Sequence, residues 1–404
     1  MFKRWIEKLI RQDLTQNRSV LLVGSRRVGK TTLAKMIGVE NSTYHTFDDI
    51  DLQSAIKLSP KYLVQICDQQ KVNILDEVQK APDLLDTVKL LIDRGYSFIL
   101  TGSSALHLLE NVSETLAGRI RIRYLPTCAW GEASNPKADD QKNSVITNNS
   151  MEALDPLLFQ HAKSDFNVFL EYGGFPELVG KSHQEKKDIL RDYRNTYLQR
   201  DILELTNIQD VGAFQGLVAA LAQSIGSTVN IQHLARESGL SHVTAKKYLH
   251  ALEQTFIIFK LMPYHFGPAK RFLKSSKYYF ADIGMLNALN VRIHEGQLFE
   301  NFVIAEVKKR LIINNQDHDA MFFYKSAKGA EIDLLVEKDD ELLLYEIKMS
   351  KSISGKFSRN IKKFEATPLK PYSNLQKYII YQGESFAEDE GVKYIPIQSW
   401  YGLI

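Results

Sequence analysis

Short apolar runs alternate with stretches of helical periodicity over the first third of the chain. Ser19–Val23, Val72–Leu75 and Tyr96–Leu100 have strand length, which predicts three buried β-strands. Between the second and third runs, apolar residues recur at helical spacing over residues 84–92, and Gly95 would end that helix. Because strands and helices alternate, this part of the chain is expected to form a doubly wound parallel sheet of the α/β class.

The pattern changes after residue 132. The stretch from Glu132 to Pro156 is rich in Ser, Asn, Asp and Lys and poor in apolar residues, as is typical of a flexible loop or a domain boundary. Helical periodicity resumes near Leu157 and predicts an amphipathic helix between Ile189 and Ile202. We therefore divide the chain into five parts, which cover residues 1–132, 133–156, 157–210, 211–290 and 291–404.

The composition is that of a soluble globular protein. The chain has 404 residues, of which 44% are hydrophobic and 25% charged, enough for two or three domains with their own cores. The net charge of +3 is too small to indicate nucleic-acid binding by itself. Cys67 and Cys128 form no Cys-x-x-Cys motif and no disulfide framework, which fits a reducing compartment.

Neither a membrane span nor a signal peptide is predicted. No apolar stretch reaches the length that a membrane-spanning helix needs. The segment Met1–Ile10 has charges spread through it, which predicts an amphipathic helix. We therefore expect a cytoplasmic protein without a membrane partner.

The segment Gly24–Thr31 carries the strongest chemical signal, because it fits the phosphate-binding pattern G-x-x-x-x-G-K-S/T at every fixed position. A glycine-rich turn between a strand and a helix directs backbone N–H groups inward, and the helix N-terminus adds partial positive charge. A chance glycine turn is the alternative. In the phosphate-binding interpretation, Lys30 reaches the β- and γ-phosphates of ATP and the Thr31 hydroxyl ligates Mg²⁺. The predicted nucleotide-binding residues are Gly24, Ser25, Arg26, Arg27, Val28, Gly29, Lys30, Thr31 and Thr32.

Acidic and polar residues follow the next two predicted strands. Asp76 and Glu77 come directly after Val72–Leu75, where a hydrolysing P-loop protein needs an acidic pair. Asp76 would hold the Mg²⁺ shell, and Glu77 would polarise the attacking water. After the third strand, Ser103 is the candidate for the contact that senses the γ-phosphate, with Ser104 beside it. The alternative for these serines is a helix N-cap.

Several motifs resemble those of bacterial AAA-type ATPases, and more narrowly of the group that carries a C-terminal domain of unknown function. The resemblance rests on Gly24–Thr32, Leu75–Gln79, Leu100–Ser104, Leu116–Arg119, Tyr172–Glu177, Tyr193, Tyr197–Asp201, Lys277 and Tyr279–Gly284. It implies that residues 1–132 form an AAA-type P-loop ATPase domain and that a helical subdomain over residues 157–210 closes over the nucleotide. It also implies a role for Arg119 as a γ-phosphate sensor or arginine finger, the alternative being a surface arginine in a basic cluster.

A helix-turn-helix pattern occupies the fourth part of the chain. Residues 231–239 and 243–252 have helical spacing, Gly239 permits the turn between them, and Ser241 would cap the second helix. The apolar residues 256–262 predict a wing strand. One interpretation is DNA contact through Ser241, His242, Thr244, Lys246 and Lys247. The preferred alternative is a scaffold that packs against neighbouring domains or subunits, because the second helix has only two basic residues for phosphate contacts.

Two strands around a polar turn are predicted near the C-terminus, over residues 330–336 and 342–348. A hairpin centred between Asp339 and Asp340 fixes which residues face one another. It pairs Asp333 with Glu346 and Glu331 with Lys348 on one face, and places Ile332 and Ile347 on the other. Two opposed carboxylates repel each other, and a divalent cation between them would remove the repulsion.

This D…E-x-K arrangement is similar to that of PD-(D/E)xK nucleases. The resemblance implies that Asp333 and Glu346 bind Mg²⁺ and that Lys348 stabilises a phosphate or helps to activate water. Glu300, on a predicted helix, matches the acidic helix residue of that fold and would be a further metal ligand. Ile332 stands where the family has a proline. The alternatives are a degenerate nuclease fold and an ordinary surface hairpin.

The sequence thus predicts an α/β chain in which an AAA-type P-loop ATPase precedes a winged-helix region and an α/β restriction-endonuclease-like domain. ATP and Mg²⁺ are the expected cofactors. The leading hypothesis is that nucleotide state controls a DNA-directed module, for which DNA cleavage is left open. The rival is a nucleotide-dependent interaction switch whose C-terminal domain binds protein or DNA without cutting. DNA and a second copy of the chain are the candidate partners.

Overall fold

The structure, a computed structural model, describes residues 3–38, 41–102, 112, 114–134, 156–196, 210–265, 275–326, 328–365, 372 and 374–402. The chain divides into two units, which we describe separately. The first unit comprises residues 1–127 with 254–256, and the second comprises residues 128–253 and 257–404.

A five-stranded sheet lies at the centre of the first unit. Its strands are β1 (Ser19–Val23), β2 (Ser42–Thr46), β3 (Val72–Asp76), β4 (Ser97–Gly102) and β5 (Ile120–Tyr124). They follow the order β2-β3-β4-β1-β5, and each neighbouring pair is parallel. Every residue of β1 is buried, because the strand has a neighbour on each side and helices cover parallel sheets. The predicted parallel α/β sheet is therefore confirmed, with the predicted strands as β1, β3 and β4.

The helices of the first unit connect these strands. They are α1 (Glu7–Thr15), α2 (Lys30–Gly38), α3 (Ile50–Leu58), α4 (Leu63–Ile66) and α5 (Leu85–Asp93), with short 3-10 turns at Pro60–Tyr62, Val78–Lys80 and Pro82–Leu84. Asp49 caps α3 by accepting a hydrogen bond from the backbone N–H of Asp51 at 2.9 Å. As predicted, the helix over residues 84–92 stops before Gly95, whose φ of +89° favours glycine.

The second unit begins and continues with helices. They are α6 (Trp130–Ser134), α7 (Pro156–Tyr172), α8 (His183–Tyr193), α9 (Val211–Gln223), α10 (Ile231–Glu237), α11 (His242–Gln254), α12 (Ile283–Ala288), α13 (Glu295–Ile313), α14 (Arg359–Glu365) and α15 (Ser399–Gly402). The two helices of the helix-turn-helix pattern are present as α10 and α11. The Ser241 hydroxyl accepts a hydrogen bond from the Thr244 N–H at 3.1 Å, as expected of an N-cap.

An eight-stranded mixed sheet completes the second unit. Its strands are β6 (Ile258–Pro263), β7 (Lys277–Phe280), β8 (Met321–Lys325), β9 (Glu331–Lys338), β10 (Glu341–Lys348), β11 (Asn374–Tyr381), β12 (Ala387–Asp389) and β13 (Val392–Pro396), in the order β12-β13-β11-β10-β9-β8-β6-β7. The strand predicted as a wing is β6. It pairs with β7 in a hairpin and also with β8, so one sheet spans the division predicted between residues 290 and 291.

The hairpin of β9 and β10 has the predicted register over residues 334–338 and 341–345. Beyond this stretch β9 departs from regular pairing, because two of its residues, Asp333 and Leu334, lie opposite one residue of β8. Such a β-bulge turns the strand and re-aims its side chains. As a result Ile332 packs in one hydrophobic cluster and Ile347 in another, and the prediction that they share a face is wrong.

In the second unit, a buried ion pair joins motifs that lie far apart in the sequence. The Asp282 carboxylate accepts hydrogen bonds from the N–H groups of Gly174 (3.0 Å) and Gly284 (2.9 Å). The Lys309 ammonium lies 3.4 Å from the same carboxylate. A Cβ added at Gly173, where φ is +74°, would lie 2.0 Å from an Asp282 oxygen. The segments Tyr172–Glu177 and Tyr279–Gly284 therefore meet at one buried carboxylate.

We expect Asp282→Ala to lower the free energy of unfolding of the second unit by about 3–5 kcal/mol, because it leaves the Lys309 ammonium buried without its partner. Chemical unfolding followed by tryptophan fluorescence measures this loss. Glu384→Gln is the matched control, since Glu384 pairs with Lys163 at 3.0 Å on the exposed surface and its loss should cost less than about 1 kcal/mol. Equal costs for the two variants would contradict the structural role of Asp282.

Candidate functional site

The loop between β1 and α2 has the close backbone approaches that the phosphate-binding pattern requires. A Cβ added at Gly24 would lie 2.2 Å from the carbonyl oxygen of Leu125, so a larger residue does not fit there. Gly29 has a φ of +91°, which favours glycine. Arg27 has a φ of +60° without being glycine. The loop conformation is thus maintained at a cost in backbone energy.

Lys30, the first residue of α2, places its ammonium inside this loop. Its Nζ donates hydrogen bonds to the carbonyl oxygens of Gly24 (2.9 Å) and Ser25 (2.8 Å), and the residue is 6% exposed. Burial lowers the pKa of Lys30 to about 8, although the charges of Glu77 and Asp76 oppose the shift. The lysine is therefore held close to the backbone that would surround a phosphate.

Asp76, at the end of β3, brings together hydroxyl groups from three elements. It is 3% exposed, and its carboxylate accepts hydrogen bonds from the hydroxyls of Thr31 (2.9 Å) and Tyr44 (2.9 Å). The Thr101 hydroxyl also donates to it. A hydroxyl and a carboxylate side by side are oxygen ligands of the type that Mg²⁺ prefers, so Thr31 and Asp76 fit the predicted ion.

Glu77 adopts a strained backbone conformation next to this carboxylate. Its φ is +58°, in the left-handed region that costs a residue with a side chain about 1–2 kcal/mol. Its N–H donates to the Thr101 hydroxyl at 3.2 Å, and its carboxylate accepts from Gln79. Strain of this kind concentrates at functional sites. The Thr101 hydroxyl therefore contacts both members of the predicted acidic pair.

Sequence reasoning missed three residues that support this site. Tyr44 lies on β2, a polar strand without an apolar run, and Thr101 lies two residues before Ser103. Arg4 is 5% exposed and donates to the carbonyl oxygens of Val28 (2.8 Å) and Pro126 (2.8 Å). Only Thr101 carried a usable signal, as a polar residue at a strand end.

The other residues predicted for the nucleotide site, together with two further predicted segments, have the following positions. Ser25 and Val28 are buried, Thr32 lies on α2 beside Thr31, and Arg26 and Arg27 are exposed. Ser103, Ser104 and Tyr197–Asp201 lie outside the described residues, as do residues 135–155 of the predicted linker.

Arg119 lies at the opposite end of the parallel strands from the phosphate-binding loop. It directly precedes β5, whose first residue pairs with Ser19 at the start of β1, so a strand length of about 15 Å separates it from the loop that follows β1. Its guanidinium forms two hydrogen bonds with Asp93, at 2.7 and 3.1 Å. A γ-phosphate sensor within the same chain is therefore contradicted, and only an arginine finger directed at another chain remains as a proposal.

A second group of charged side chains lies on β9 and β10. The Asp333 carboxylate accepts a hydrogen bond from the N–H of Ile347 at 2.8 Å. The Lys348 ammonium lies 3.3 Å from Asp333 and 2.5 Å from Glu346, so it is placed between the two carboxylates. The three residues of the D…E-x-K pattern are thus brought together.

Glu346 is the least satisfied member of this group. It is 1% exposed, and its Oε1 makes no hydrogen bond of ordinary geometry among the described residues, although the Asn360 side chain lies close enough to lower its pKa. Burial, followed by the negative charge of Asp333, raises the pKa of Glu346 to about 8. An unsatisfied buried carboxylate oxygen is a position where a cation ligand would relieve an energetic cost, so Asp333 and Glu346 fit the predicted Mg²⁺.

Two of the predicted contacts differ from the structure. Glu331 does not pair with Lys348; it lies 2.6 Å from the Lys277 ammonium and 3.0 Å from that of Lys325. Glu300, on α13, accepts a hydrogen bond from the Tyr279 hydroxyl at 2.7 Å. The β-bulge at Asp333 accounts for the first difference, because it breaks the alternation that would have placed Glu331 beside Lys348.

The three predicted metal ligands of the second unit do not all lie close enough together to bind one ion. Within the described ranges, the one group of three acidic or histidine residues whose ligand atoms all lie within 4.8 Å of one another is Asp317, His318 and Asp319. Glu300, Asp333 and Glu346 do not meet that distance. Glu300 instead faces Tyr279 and Lys277.

The outward face of α11 is available to solvent. His242, Lys246 and Lys247 are exposed and Thr244 is half-buried, while Ser241 shares a hydrogen bond of 2.8 Å with Thr244. These are the residues predicted for DNA contact.

The described part of the chain contains no helix with both the length and the apolar character that crossing a bilayer requires.

The first unit is similar to a known domain family. Residues 16–134 match a family model described as an AAA domain. Residues 163–295 and 295–400 match two models described as domains of unknown function (DUF8612 and DUF4143). Together with the parallel sheet and the loop before α2, the first match supports an AAA-type P-loop ATPase domain and nucleotide binding.

Similar proteins occur in bacteria and archaea. An uncharacterised protein of Mycobacterium tuberculosis is 26% identical over 357 residues, which cover 85% of this chain and 73% of that protein. One of Methanocaldococcus jannaschii is 26% identical over 423 residues, which cover 97% and 91%. The solved structure of a Walker-type ATPase of Pyrococcus abyssi shares 13% identity with a TM-score of 0.45, covering 72% of this chain and 96% of that one. The RuvB Holliday junction branch migration motor of Thermotoga maritima shares 19% with a TM-score of 0.31, covering 63% and 88%.

We expect the affinity for ATP–Mg²⁺ to fall as the pH rises above about 8. Lys30 without nucleotide loses its proton near pH 8, whereas phosphate charges beside it would hold the proton, so binding takes up a proton above that pH. The dissociation constant should rise by up to about tenfold per pH unit. Titration of a fluorescent ATP analogue at pH 7, 8 and 9 measures it. In Lys30→Arg, which stays charged, the dissociation constant should not change with pH. The same pH dependence in the variant and the unaltered protein would contradict the role assigned to Lys30.

Proposed function

We propose that the first unit hydrolyses ATP with Mg²⁺ and that its nucleotide state controls a DNA-directed module in the second unit. The contact between the Thr31 hydroxyl and the Asp76 carboxylate carries the first part of this proposal. It brings together two side chains that would ligate magnesium beside the phosphate-binding loop. The match of residues 16–134 to an AAA domain supports the same assignment.

The candidate residues divide the chemistry of hydrolysis between them. Lys30 and the N–H groups of the loop would bind the β- and γ-phosphates and stabilise the charge that develops on them. Mg²⁺, held through Thr31 and Asp76, would supply further charge stabilisation. Glu77 would orient the attacking water. An arginine finger, for which Arg119 is the candidate, would come from a neighbouring copy of the chain.

Glu77→Gln should reduce the ATP turnover rate by about 100-fold or more while ATP is still bound, because the amide cannot act as a base. Lys30→Ala should abolish turnover. Phosphate release measures the rate, and nucleotide titration measures the binding. Asp83→Asn, a nearby exposed acid, is the control and should turn over ATP like the unaltered protein. Full activity of Glu77→Gln would remove the assigned role of Glu77, and full activity of Lys30→Ala would remove the ATPase assignment.

For the second unit we propose hydrolysis of a phosphodiester at Asp333, Glu346 and Lys348. The proximity of the three side chains and the unsatisfied Oε1 of Glu346 support a site for one divalent cation. Bound there, the cation would polarise a phosphate oxygen and lower the pKa of a water. Lys348 would move from between the carboxylates onto the phosphate.

The second candidate is a module that binds its partner without cutting. One observation favours it: the Lys348 ammonium already lies within 3.3 Å of both carboxylates and bridges them without a metal ion. Exposed His242, Lys246 and Lys247 on α11 would then contact DNA phosphates, with an affinity that falls as salt rises.

Incubation of supercoiled plasmid with the full chain, ATP and Mg²⁺ or Mn²⁺ distinguishes the two candidates. Nicking that Asp333→Ala abolishes, and that Asp339→Asn in the hairpin turn leaves unchanged, is the expected result. The reason is that Asp333 would ligate the cation, whereas Asp339 lies at the turn of the hairpin. Salt-sensitive DNA binding without a metal-dependent product would instead support the non-cleaving module.

A further inference from the structure

A lysine from outside the D…E-x-K pattern is buried against the carboxylates of the second unit. Lys277, the first residue of β7, is 1% exposed. Its ammonium lies 2.6 Å from Glu331 and 3.7 Å from Glu300. It also lies 5.2 Å from the centre of the Phe323 ring. Burying an ammonium is costly unless carboxylates surround it, so this position indicates a strong local negative potential.

The same strand fixes the orientation of Glu300. The Tyr279 hydroxyl, two residues after Lys277 on β7, donates to Glu300 Oε1 at 2.7 Å. A Cβ added at Gly226 would lie 3.0 Å from the other Glu300 oxygen, so the backbone of that turn closes the remaining side. Glu300 is therefore turned toward β7 and held there, which explains why it does not join Asp333 and Glu346 in a compact ligand set.

Four carboxyl groups and three ammonium groups meet in this region. The carboxylates are Glu300, Glu331, Asp333 and Glu346, and the ammonium groups are Lys277, Lys325 and Lys348. Lys325 is half exposed, so solvent screens it, whereas Lys277 is shielded and acts at close range. Burial alone would lower the pKa of Lys277, but Glu300, Asp333 and Glu331 outweigh it and hold that pKa above its ordinary value. Lys277 therefore stays charged.

We infer that Lys277 is a built-in cation of this site: it neutralises Glu300 and Glu331 in the position that a second divalent ion would take, and it confines metal binding to Asp333 and Glu346. This inference rests on the cation site proposed above, but it does not require that DNA be cut. Lys277 is a positioning residue, since it acts through the two glutamates.

Calorimetric titration of the full chain with Mn²⁺ tests the inference without any nuclease assay. Lys277→Met should bind Mn²⁺ at least about tenfold more tightly than the unaltered protein, because Glu300 and Glu331 become available to the ion. Mn²⁺ should also raise the Tm of the variant more than that of the unaltered protein. Lys325→Met removes the exposed lysine from the same glutamate and is the matched control, with an expected change below about threefold.

An unchanged Mn²⁺ affinity in folded Lys277→Met would overturn the inference. Circular dichroism establishes whether that variant is folded. If it is not, Lys277→Gln, whose amide can still donate a hydrogen bond to Glu331, takes its place, and the same increase is expected. A failure of plasmid nicking together with tighter Mn²⁺ binding by either variant would remove the proposed cleavage and leave the role of Lys277 standing.

Discussion

The first unit depends on one buried carboxylate that must keep its hydrogen-bond donors. Asp76 is almost fully enclosed at the end of β3, and a carboxylate in that position is tolerated only when donors surround it. Hydroxyls of Thr31, Tyr44 and Thr101 supply them from α2, β2 and β4. The interaction that stabilises this end of the sheet therefore also positions the proposed magnesium ligands, so the fold and the proposed chemistry share one constraint.

The second unit meets a similar constraint in a different way. Its carboxylates on α13, β9 and β10 are balanced by lysines rather than by hydroxyl groups, and Lys277 and Lys348 lie closest to them. A site neutralised by its own lysines is stable without a metal ion. In the proposed mechanism it binds one when Lys348 moves aside, which would make cation binding and substrate binding interdependent. A phosphate that attracts Lys348 would open the space between Asp333 and Glu346.

The features that could be predicted from the sequence are those that depend on the spacing of residues close together in the chain. The phosphate-binding loop is read within eight residues, and the register of β9 and β10 follows from a tight polar turn. The bulge at Asp333 could not be predicted, because it depends on the pairing of β9 with β8. Lys277 lies more than fifty residues before Glu331, so only the folded sheet brings them together. The position of Arg119 likewise required the strand order.

Calorimetric titration with ATP, in the presence and absence of Mg²⁺, tests the central claim most directly. If Thr31 and Asp76 hold the ion, Mg²⁺ should raise the ATP affinity of the unaltered protein by about tenfold or more. Asp76→Asn should bind ATP with nearly the same affinity in both conditions. Failure of the unaltered protein to bind ATP–Mg²⁺, or a magnesium dependence that survives in Asp76→Asn, would contradict the account.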